Sequence, residues 1–360
     1  MSQLLKDAYD QIYLQRLADC CSQAYPAFPA ERFLQLVFDE QWVSRELKAR
    51  SQHIRHCLHS ALQQPYEKAI TVLMDVAPSF SGYEALFFPD YVEAYGQQHW
   101  DISMEAMQWL TRFSSAEFAV RPFIMAEPEK MMAQMLRWSE HENYHVRRLA
   151  SEGCRPRLPW GQALPDFKRD PAPILPILDN LRHDESDYVR RSVANNLNDI
   201  AKDNPAVMVG WAKQYFNQSP LSDWIIKHGS RTLLKQAHPE VMAMFGYHPA
   251  EDIAVSNLQL EPESLHIGDQ LLFSFELGTL QGALGQLRIE YAVDYMKANG
   301  RQNRKVFKIT EGEFDETRKV FSRRQSFRQM TTRKHYPGEH RLTILVNGAE
   351  KASIEFQLLS

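Results

Sequence analysis

The segment 141–160 reads HENYHVRRLASEGCRPRLPW, and the fold of the chain can be predicted outward from it. Apolar residues recur in this segment at i, i+3, i+4 and i+7, the spacing of a helix with one buried face. They are Val146, Leu149, Ala150 and Gly153. Pro156 and Pro159 then interrupt regular structure. The segment therefore predicts a helix that ends at Gly153, followed by an irregular loop that carries Trp160.

The same pattern recurs along the chain. The Val-Arg-Arg sequence at 146–148 is repeated at 189–191, a spacing of about 43 residues, and two-helix HEAT units repeat every ~40–47 residues. Weaker copies lie at 118–121 and 225–231. The repeats predict a helical solenoid whose second helices line one surface with Arg and Lys.

The periodicity changes after residue 250. From there apolar and polar residues alternate, as in half-buried β-strands, and turn sequences such as Asn299-Gly300 and Asn347-Gly348 separate the runs. About seven short strands in such a length are typical of an immunoglobulin-like sandwich. We therefore expect a mainly α protein, with a HEAT-like helical-repeat solenoid at 1–250 and a small Ig-like β-sandwich at 251–360. Within 1–250, helices are predicted at 46–62 and 66–75, and an aromatic, turn-rich corner at 79–99.

The composition excludes several classes of protein. The 360 residues are 44% hydrophobic and 24% charged, with a net charge of −4. Neither a membrane-spanning run of ~18 apolar residues nor a signal-peptide core occurs, so a cytoplasmic protein is expected. The cysteines lack C-x-x-C spacing, which predicts reduced structural thiols. They are Cys20, Cys21, Cys57 and Cys154.

A literal H-E-x-x-H sequence at 141–145 suggests a zinc site. Such a site needs both histidines on one helix face and a further ligand downstream. Here Asn143 is predicted to be the N-cap of the following helix, and no suitable third ligand follows. We therefore expect no metal. The chain also lacks P-loop and G-x-S-x-G motifs, which argues against nucleotide hydrolysis and serine acyl transfer.

Three carboxylates lie within or beside the basic repeat surface. Glu152 and Asp199 fall along one face of neighbouring helices, and Glu117 ends the sequence Ser-Ser-Ala-Glu. Acidic groups in a basic surface can stabilise a cation that develops during a reaction. Structural interpretations are also open: an exposed Arg148–Glu152 pair, a capping box at 114–117, and a packing role for Trp160.

The segment 297–334 of the predicted sandwich is rich in Arg and Lys, including Arg323, Arg324 and Arg333, with three phenylalanines interleaved. These three are Phe307, Phe321 and Phe327, and Phe314 also lies in the segment. Basic side chains on strands bind nucleic-acid phosphates in some proteins. In others they form a solvated outer face. Both interpretations fit the sequence.

The sequences YHVRRLASEGCRPRLPW, DYVRRSVANNLNDIAK and WIIKHGSRTLLK resemble the AlkC group of HEAT-like-repeat alkylpurine DNA glycosylases. The resemblance covers about residues 1–250, and the C-terminal part resembles the Ig-like domain of one branch. It implies a monofunctional glycosylase that removes 3-methyladenine and 3-methylcytosine from duplex DNA without full base flipping. It also implies a monomer that uses no cofactor and acts at the bacterial nucleoid.

The resemblance further implies that Glu152, Asp199 and Glu117 are catalytic, and that Trp160 faces the deoxyribose of the lesion. Basic residues of the repeats and of the sandwich are expected to contact DNA. They are Arg147, Arg148, Arg157, Arg190, Arg191, Lys227, His228, Arg231, Arg323 and Arg324. Two rival interpretations remain: a HEAT/Ig interaction scaffold without catalysis, and a DNA-binding paralogue that only senses damage.

Overall fold

A computed structural model describes residues 5–262, 264–330 and 334–360. The chain divides into two compact units, 1–229 and 230–360. The sequence predicts a boundary at residue 250. Two short helices that were expected to belong to the solenoid are therefore part of the second unit, together with the strands. The reason is close packing: a Cβ atom added at Gly348 would lie 2.2 Å from the Cβ atom of Ala237.

The first unit begins with six α-helices. They are α1 (Gln11–Ala24), α2 (Ala30–Val37), α3 (Leu47–Leu62), α4 (Tyr66–Val76), α5 (Phe87–Tyr95) and α6 (Trp100–Leu110). Helices predicted at 46–62 and 66–75 are confirmed as α3 and α4. The segment 79–99, predicted as a turn-rich corner, contains α5. This helix is only nine residues long and has Pro89 in its first turn, so no extended helical period marks it in the sequence.

The HEAT-like repeats follow. Their helices are α7 (Val120–Ala126), α8 (Pro128–Ser139), α9 (Tyr144–Gly153), α10 (Pro165–Arg169), α11 (Leu175–Leu181), α12 (Asp187–Asp203), α13 (Pro205–Tyr215) and α14 (Pro220–Gly229). Pairs α8–α9, α11–α12 and α13–α14 form successive two-helix units, and α12 packs between α9 and α14. The predicted helical-repeat architecture is confirmed.

Small residues let the second helices of the repeats approach closely. Ser151 on α9 and Ser192 on α12 are both buried, and their Oγ atoms lie 2.7 Å apart. Asn196 Nδ2 also donates to the carbonyl of Ser151 at 2.8 Å. Because one turn of α9 is thereby locked to α12, the next residue, Glu152, has a defined position relative to that helix.

The second unit contains α15 (Arg231–Lys235), α16 (Pro239–Met244) and, among the described residues, eight strands. The strands are β1 (Ile253–Glu261), β2 (Ser264–His266), β3 (Gln270–Thr279), β4 (Gly285–Met296), β5 (Gln302–Phe314), β6 (Arg318–Ser326), β7 (Gly338–Val346) and β8 (Ala349–Leu359). They form sheets ordered β1-β3-β6 and β2-β8-β7-β4-β5 around one apolar core. The predicted Ig-like sandwich is confirmed, with eight strands where about seven were expected.

The hairpin between β7 and β8 turns at the predicted Asn347-Gly348. Both residues have positive φ, +47° and +82°, as a two-residue type I′ turn requires. The four cysteines all carry free thiols. None of the described helices is both long enough and apolar enough to cross a membrane.

Candidate active site

Asn143 caps α9 as predicted: its Oδ1 accepts a hydrogen bond from the backbone N–H of His145 at 2.9 Å. His141 lies before the helix, and its Nδ1 accepts from the backbone N–H of Asn143 at 2.9 Å. The two histidines of the H-E-x-x-H sequence therefore do not share a helix face. Across the described parts of the chain, no three His, Cys, Asp or Glu side chains are grouped to hold a metal ion.

Arg155, in the loop after α9, connects two of the predicted catalytic carboxylates. Its Nη1 donates to Glu152 Oε1 at 2.7 Å and its Nε donates to Asp199 Oδ2 at 2.8 Å. Glu152 is only 5% exposed and Asp199 only 1%. Burial lowers the pKa of Arg155, but the two carboxylates raise it by more, so it lies above its usual value. Arg155 is thus a fixed positive charge between them.

Arg148 connects the third carboxylate to the first. Its Nη1 is ion-paired with Glu117 Oε2, and its Nη2 lies 3.3 Å from Glu152 Oε1. Ser115 Oγ accepts from Arg148 at 2.6 Å and donates to Glu117 at 2.8 Å. The Tyr188 ring packs against the guanidinium, with 4.8 Å between Cζ and the ring centroid. Glu117, Glu152 and Asp199 therefore belong to one continuous network.

These contacts decide two of the structural alternatives. The Arg148 and Glu152 side chains are only 13% and 6% exposed, so the interpretation as an exposed surface pair is wrong. The capping box at 114–117 is wrong as well, because α7 begins only at Val120 and Ser114 Oγ donates to the carbonyl of Gly82. A buried ion-pair network contributes little net stability relative to an apolar core. Strongly coupled buried charges instead mark candidate functional sites.

Trp160 lies in the irregular loop and is 65% exposed, so the interpretation as a packing residue is wrong. Its φ is +63°, in the left-handed region that non-glycine residues rarely adopt. Its ring centroid lies 6.4 Å from that of Tyr83, which is also exposed. Backbone strain of this kind costs on the order of 1 kcal/mol and clusters at functional sites.

A cavity of about 260 Å³ adjoins Glu117 and Arg148. Aromatic rings make up much of its wall: Tyr83, Phe113, Phe118, His145 and Tyr188. Neither this aromatic wall nor the role of Arg155 was predicted from the sequence. For Arg155 a signal existed, because it lies three residues after Glu152, within reach on a helical turn. The aromatic residues come from several separate segments, and no local pattern unites them.

Two of the arginines expected to bind DNA are engaged by protein groups, Arg147 across two repeats and Arg190 within its own turn. Arg147 pairs with Asp184 through Nε and Nη2, at 2.5 and 3.1 Å, and its Nη1 donates to the carbonyls of His141 and Glu142. Arg190 donates equivalently to two carbonyls of its own turn, including that of Asp184 at 2.8 Å. These contacts give both arginines a structural role.

The remaining basic residues of the repeats are more accessible. Arg191 is exposed and pairs with Asp187 at 2.6 Å, and Arg157 forms a two-point contact with Asp203 at 2.5 and 2.6 Å. Lys227 and His228 are half-buried in the last turn of α14, where His228 stacks on Trp224. Arg231 belongs to the second unit, where it is half-buried at the start of α15.

In the second unit, Arg323 and Arg324 are exposed on β6. Neighbouring strand residues point to opposite faces. Arg323 pairs in register with the buried Phe273 and donates to the carbonyl of Ile309 on β5 at 3.2 Å. Arg324 therefore lies on the outer face of the three-stranded sheet. Arg333, also in the predicted basic segment, lies outside the described residues.

Comparison with known proteins identifies the family. Residues 92–233 match the family described as "DNA alkylation repair enzyme", and residues 254–360 match "Uncharacterised protein YhaZ, C-terminal Ig-like domain". A Bacillus subtilis (strain 168) protein named "Uncharacterized protein YhaZ" is 47% identical over 356 residues, covering 98% of this chain and 99% of that one. The solved structure of Pseudomonas fluorescens alkylpurine DNA glycosylase AlkC, bound to DNA containing an abasic site analog, is 36% identical. It superposes with a TM-score of 0.95 and covers 99% of this chain and 100% of that one. The chain belongs to the AlkC group of HEAT-like-repeat alkylpurine DNA glycosylases with a C-terminal Ig-like domain.

Proposed function

We propose that this protein is a monofunctional glycosylase that hydrolyses the N-glycosidic bond of 3-methyladenine and 3-methylcytosine in duplex DNA. One observation carries the proposal: two largely buried arginines hold three carboxylates in one network, next to a cavity whose Tyr83 ring lies 6.4 Å from that of the exposed Trp160. The likeness to AlkC, whose structure contains DNA with an abasic site analog, supports DNA as the partner.

The chemistry of these lesions suits such a site. N3-methylation makes the base cationic, so it leaves as a neutral molecule and needs little help from a general acid. Water attacks C1′, the C1′–N bond breaks with its electron pair passing to the base, and the water gives up one proton. Positive charge develops on the deoxyribose during this step. Carboxylates already oriented in a buried site stabilise that charge without reorganising.

We assign this electrostatic role to Glu152, Asp199 and Glu117, one of which also positions the water. Trp160 faces the deoxyribose, where an aromatic ring stabilises a cation through its π electrons. An indole that projects from the surface can reach a sugar within the duplex, so full base flipping is not required. Arg148 is engaged by Glu117 and Glu152. These contacts support a role for Arg148 in orienting the two carboxylates more directly than they support a contact with the DNA backbone.

We further propose that the basic residues contact duplex DNA. Arg157, Arg191, Lys227 and His228 would do so from the repeats, and Arg231, Arg323 and Arg324 from the second unit. Their charges give a sequence-independent affinity that depends on salt. The sandwich would grip the DNA and help to hold it bent. The protein would act as a monomer at the bacterial nucleoid and need no cofactor.

Release of free base from N3-methylated duplex DNA tests this proposal. Single-turnover reactions at saturating enzyme, with products separated by liquid chromatography, measure the chemical step directly. We expect wild-type protein to release both bases and the Glu152→Gln variant to release them far more slowly. Tight binding to methylated duplex without release would support the DNA-binding paralogue instead, and neither binding nor release would support an interaction scaffold.

A further inference from the structure

Arg121 is a buried arginine outside the carboxylate network. It lies in the first turn of α7 and is 1% exposed. Its guanidinium donates to three backbone carbonyls of a single loop: Gly153 at 2.9 Å, Arg155 at 3.0 Å, and Gln162. Because these carbonyls stand at both ends of the loop, Arg121 fixes its entry and exit together. This is the loop that carries Arg155 and Trp160.

Lys48, on α3, contacts the same loop near its tip. Its Nζ donates to the carbonyl of Trp160 and lies 4.5 Å from the ring centroid of Phe118. The next residue, Gly161, packs against that ring: a Cβ added there would lie 3.3 Å from Phe118 Cδ1 and 3.0 Å from Leu158 Cδ2. The tip of the loop is therefore held from the side of α3 and Phe118.

The conformation of Trp160 requires such support. A left-handed backbone at a bulky residue costs on the order of 1 kcal/mol and persists only where the surroundings impose it. The indole cannot impose it by packing, because most of its surface is exposed. Lys48 and Arg121 supply side-chain hydrogen bonds that act directly on the backbone of the loop.

A small cavity beneath Trp160 also indicates that polar contacts support the loop. It measures about 80 Å³ and is lined by Lys48, Arg121, Asp90 and Glu93 among others. Arg121 Nη2 is buried and has no hydrogen-bond partner among the described protein atoms. A polar cavity of this size accommodates a few water molecules. The underside of the loop is thus lined by polar groups, so its position depends on hydrogen bonds more than on apolar packing.

We propose that Lys48 and Arg121 are positioning residues for base excision, which hold the 154–162 loop so that Trp160 projects toward the sugar. This inference rests on the role proposed above for Trp160. Neither residue need touch the DNA. A misplaced catalytic group lowers the rate of the chemical step by up to ~10²-fold while leaving binding largely intact.

The test combines ¹⁹F NMR with single-turnover kinetics. The protein is labelled with 5-fluorotryptophan, and the Trp160 resonance among the seven tryptophans is assigned from Trp160→Phe. We expect Lys48→Met to shift or broaden this resonance alone and to lower the excision rate at saturating enzyme by roughly 10-fold, with DNA affinity within about 2-fold. Lys48→Arg should restore both, because a guanidinium can donate to the same carbonyl.

Lys130→Met is the matched control, since the Lys130 amine lies over the Trp100 ring and outside the loop. It should leave the Trp160 resonance and the rate unchanged. The proposal is overturned if Lys48→Met leaves the Trp160 resonance unchanged, or if it weakens binding while the rate at saturation stays normal, as loss of a DNA contact would. Arg121→Lys provides a second variant with the same expected resonance change. Absence of excision by the wild type would reject the proposed function, and the resonance would still decide the positioning role.

Discussion

Arg155 Nε lies 2.8 Å from Asp199 Oδ2, and this contact joins the loop after α9 to the buried face of α12. Both residues are buried, and each has a second ionic partner: Arg155 pairs with Glu152, and Asp199 accepts from Lys202 at 3.0 Å. Removal of either therefore leaves a buried charge that is only partly compensated, at a cost below the ~3–5 kcal/mol typical of a buried charge left without any partner. The two variants should therefore be strongly coupled.

A double-mutant cycle measures this coupling. We expect Arg155→Met and Asp199→Asn each to lower the free energy of unfolding. The loss in the double variant should be smaller than the sum of the two single losses by roughly 1–3 kcal/mol. The free energy of unfolding from urea denaturation is the measurement. Additive effects would show that the two side chains do not act as a pair.

Glu152→Gln should lower the single-turnover rate of base excision by roughly 10²-fold, as loss of an electrostatic group in a preorganised site does. Glutamine keeps an oxygen that can accept from Arg155, so the fold should survive with a moderate drop in melting temperature. Asp187→Asn is the control, because Asp187 pairs with an exposed arginine on α12. Near-normal excision by Glu152→Gln would remove Glu152 from the mechanism.

Trp160→Ala should abolish most excision of both 3-methyladenine and 3-methylcytosine and leave the melting temperature within a few degrees of wild type, because the indole is largely exposed. Trp160→Gly should be as inactive as Trp160→Ala but more stable by up to ~1 kcal/mol, since glycine adopts positive φ without strain. Calorimetry of the two variants checks this. A large loss of stability in both would point to a packing role.

Arg324→Gln should weaken binding to methylated duplex and reduce the slope of log affinity against log salt by about one unit if the side chain neutralises one phosphate. Arg324 is the cleaner probe, because Arg323 also contacts the β5 backbone. Arg341→Gln, on the other sheet and paired with Glu355, removes the same charge and should change neither quantity. Equal effects of both variants would indicate a response to net charge alone.

The sandwich should lose stability in mild acid through His340. This residue is fully buried, and burial lowers its pKa despite a hydrogen bond to the Tyr336 carbonyl, which raises it. The unfolded chain then binds a proton near pH ~6.5 that the folded chain does not. Stability is therefore complete above that pH and falls as the pH drops below it. His340→Gln should show a shallower decline in melting temperature between pH 7.5 and 5.5, and an unchanged decline would exclude His340 as a cause.

The sequence by itself determined the architecture. Helical and strand periodicities are local properties of a chain, so the repeats, the sandwich and the cap at Asn143 could all be predicted from it. The spacing of the repeats also brought Glu152 and Asp199 to neighbouring helices. Helix α5 could not be predicted in this way, because it is only nine residues long and has a proline in its first turn, too short a segment to establish a period.

Only the tertiary structure decided what individual side chains do. Arg147 and Arg148 are adjacent in one motif and indistinguishable by type, yet the first joins two repeats and the second holds Glu117 and Glu152. Successive helix residues point about 100° apart, and what each meets depends on segments distant in sequence. The same holds for Arg121, whose three carbonyl partners lie more than thirty residues away. Local patterns specify which elements form, whereas the partners of a buried charge are chosen by packing.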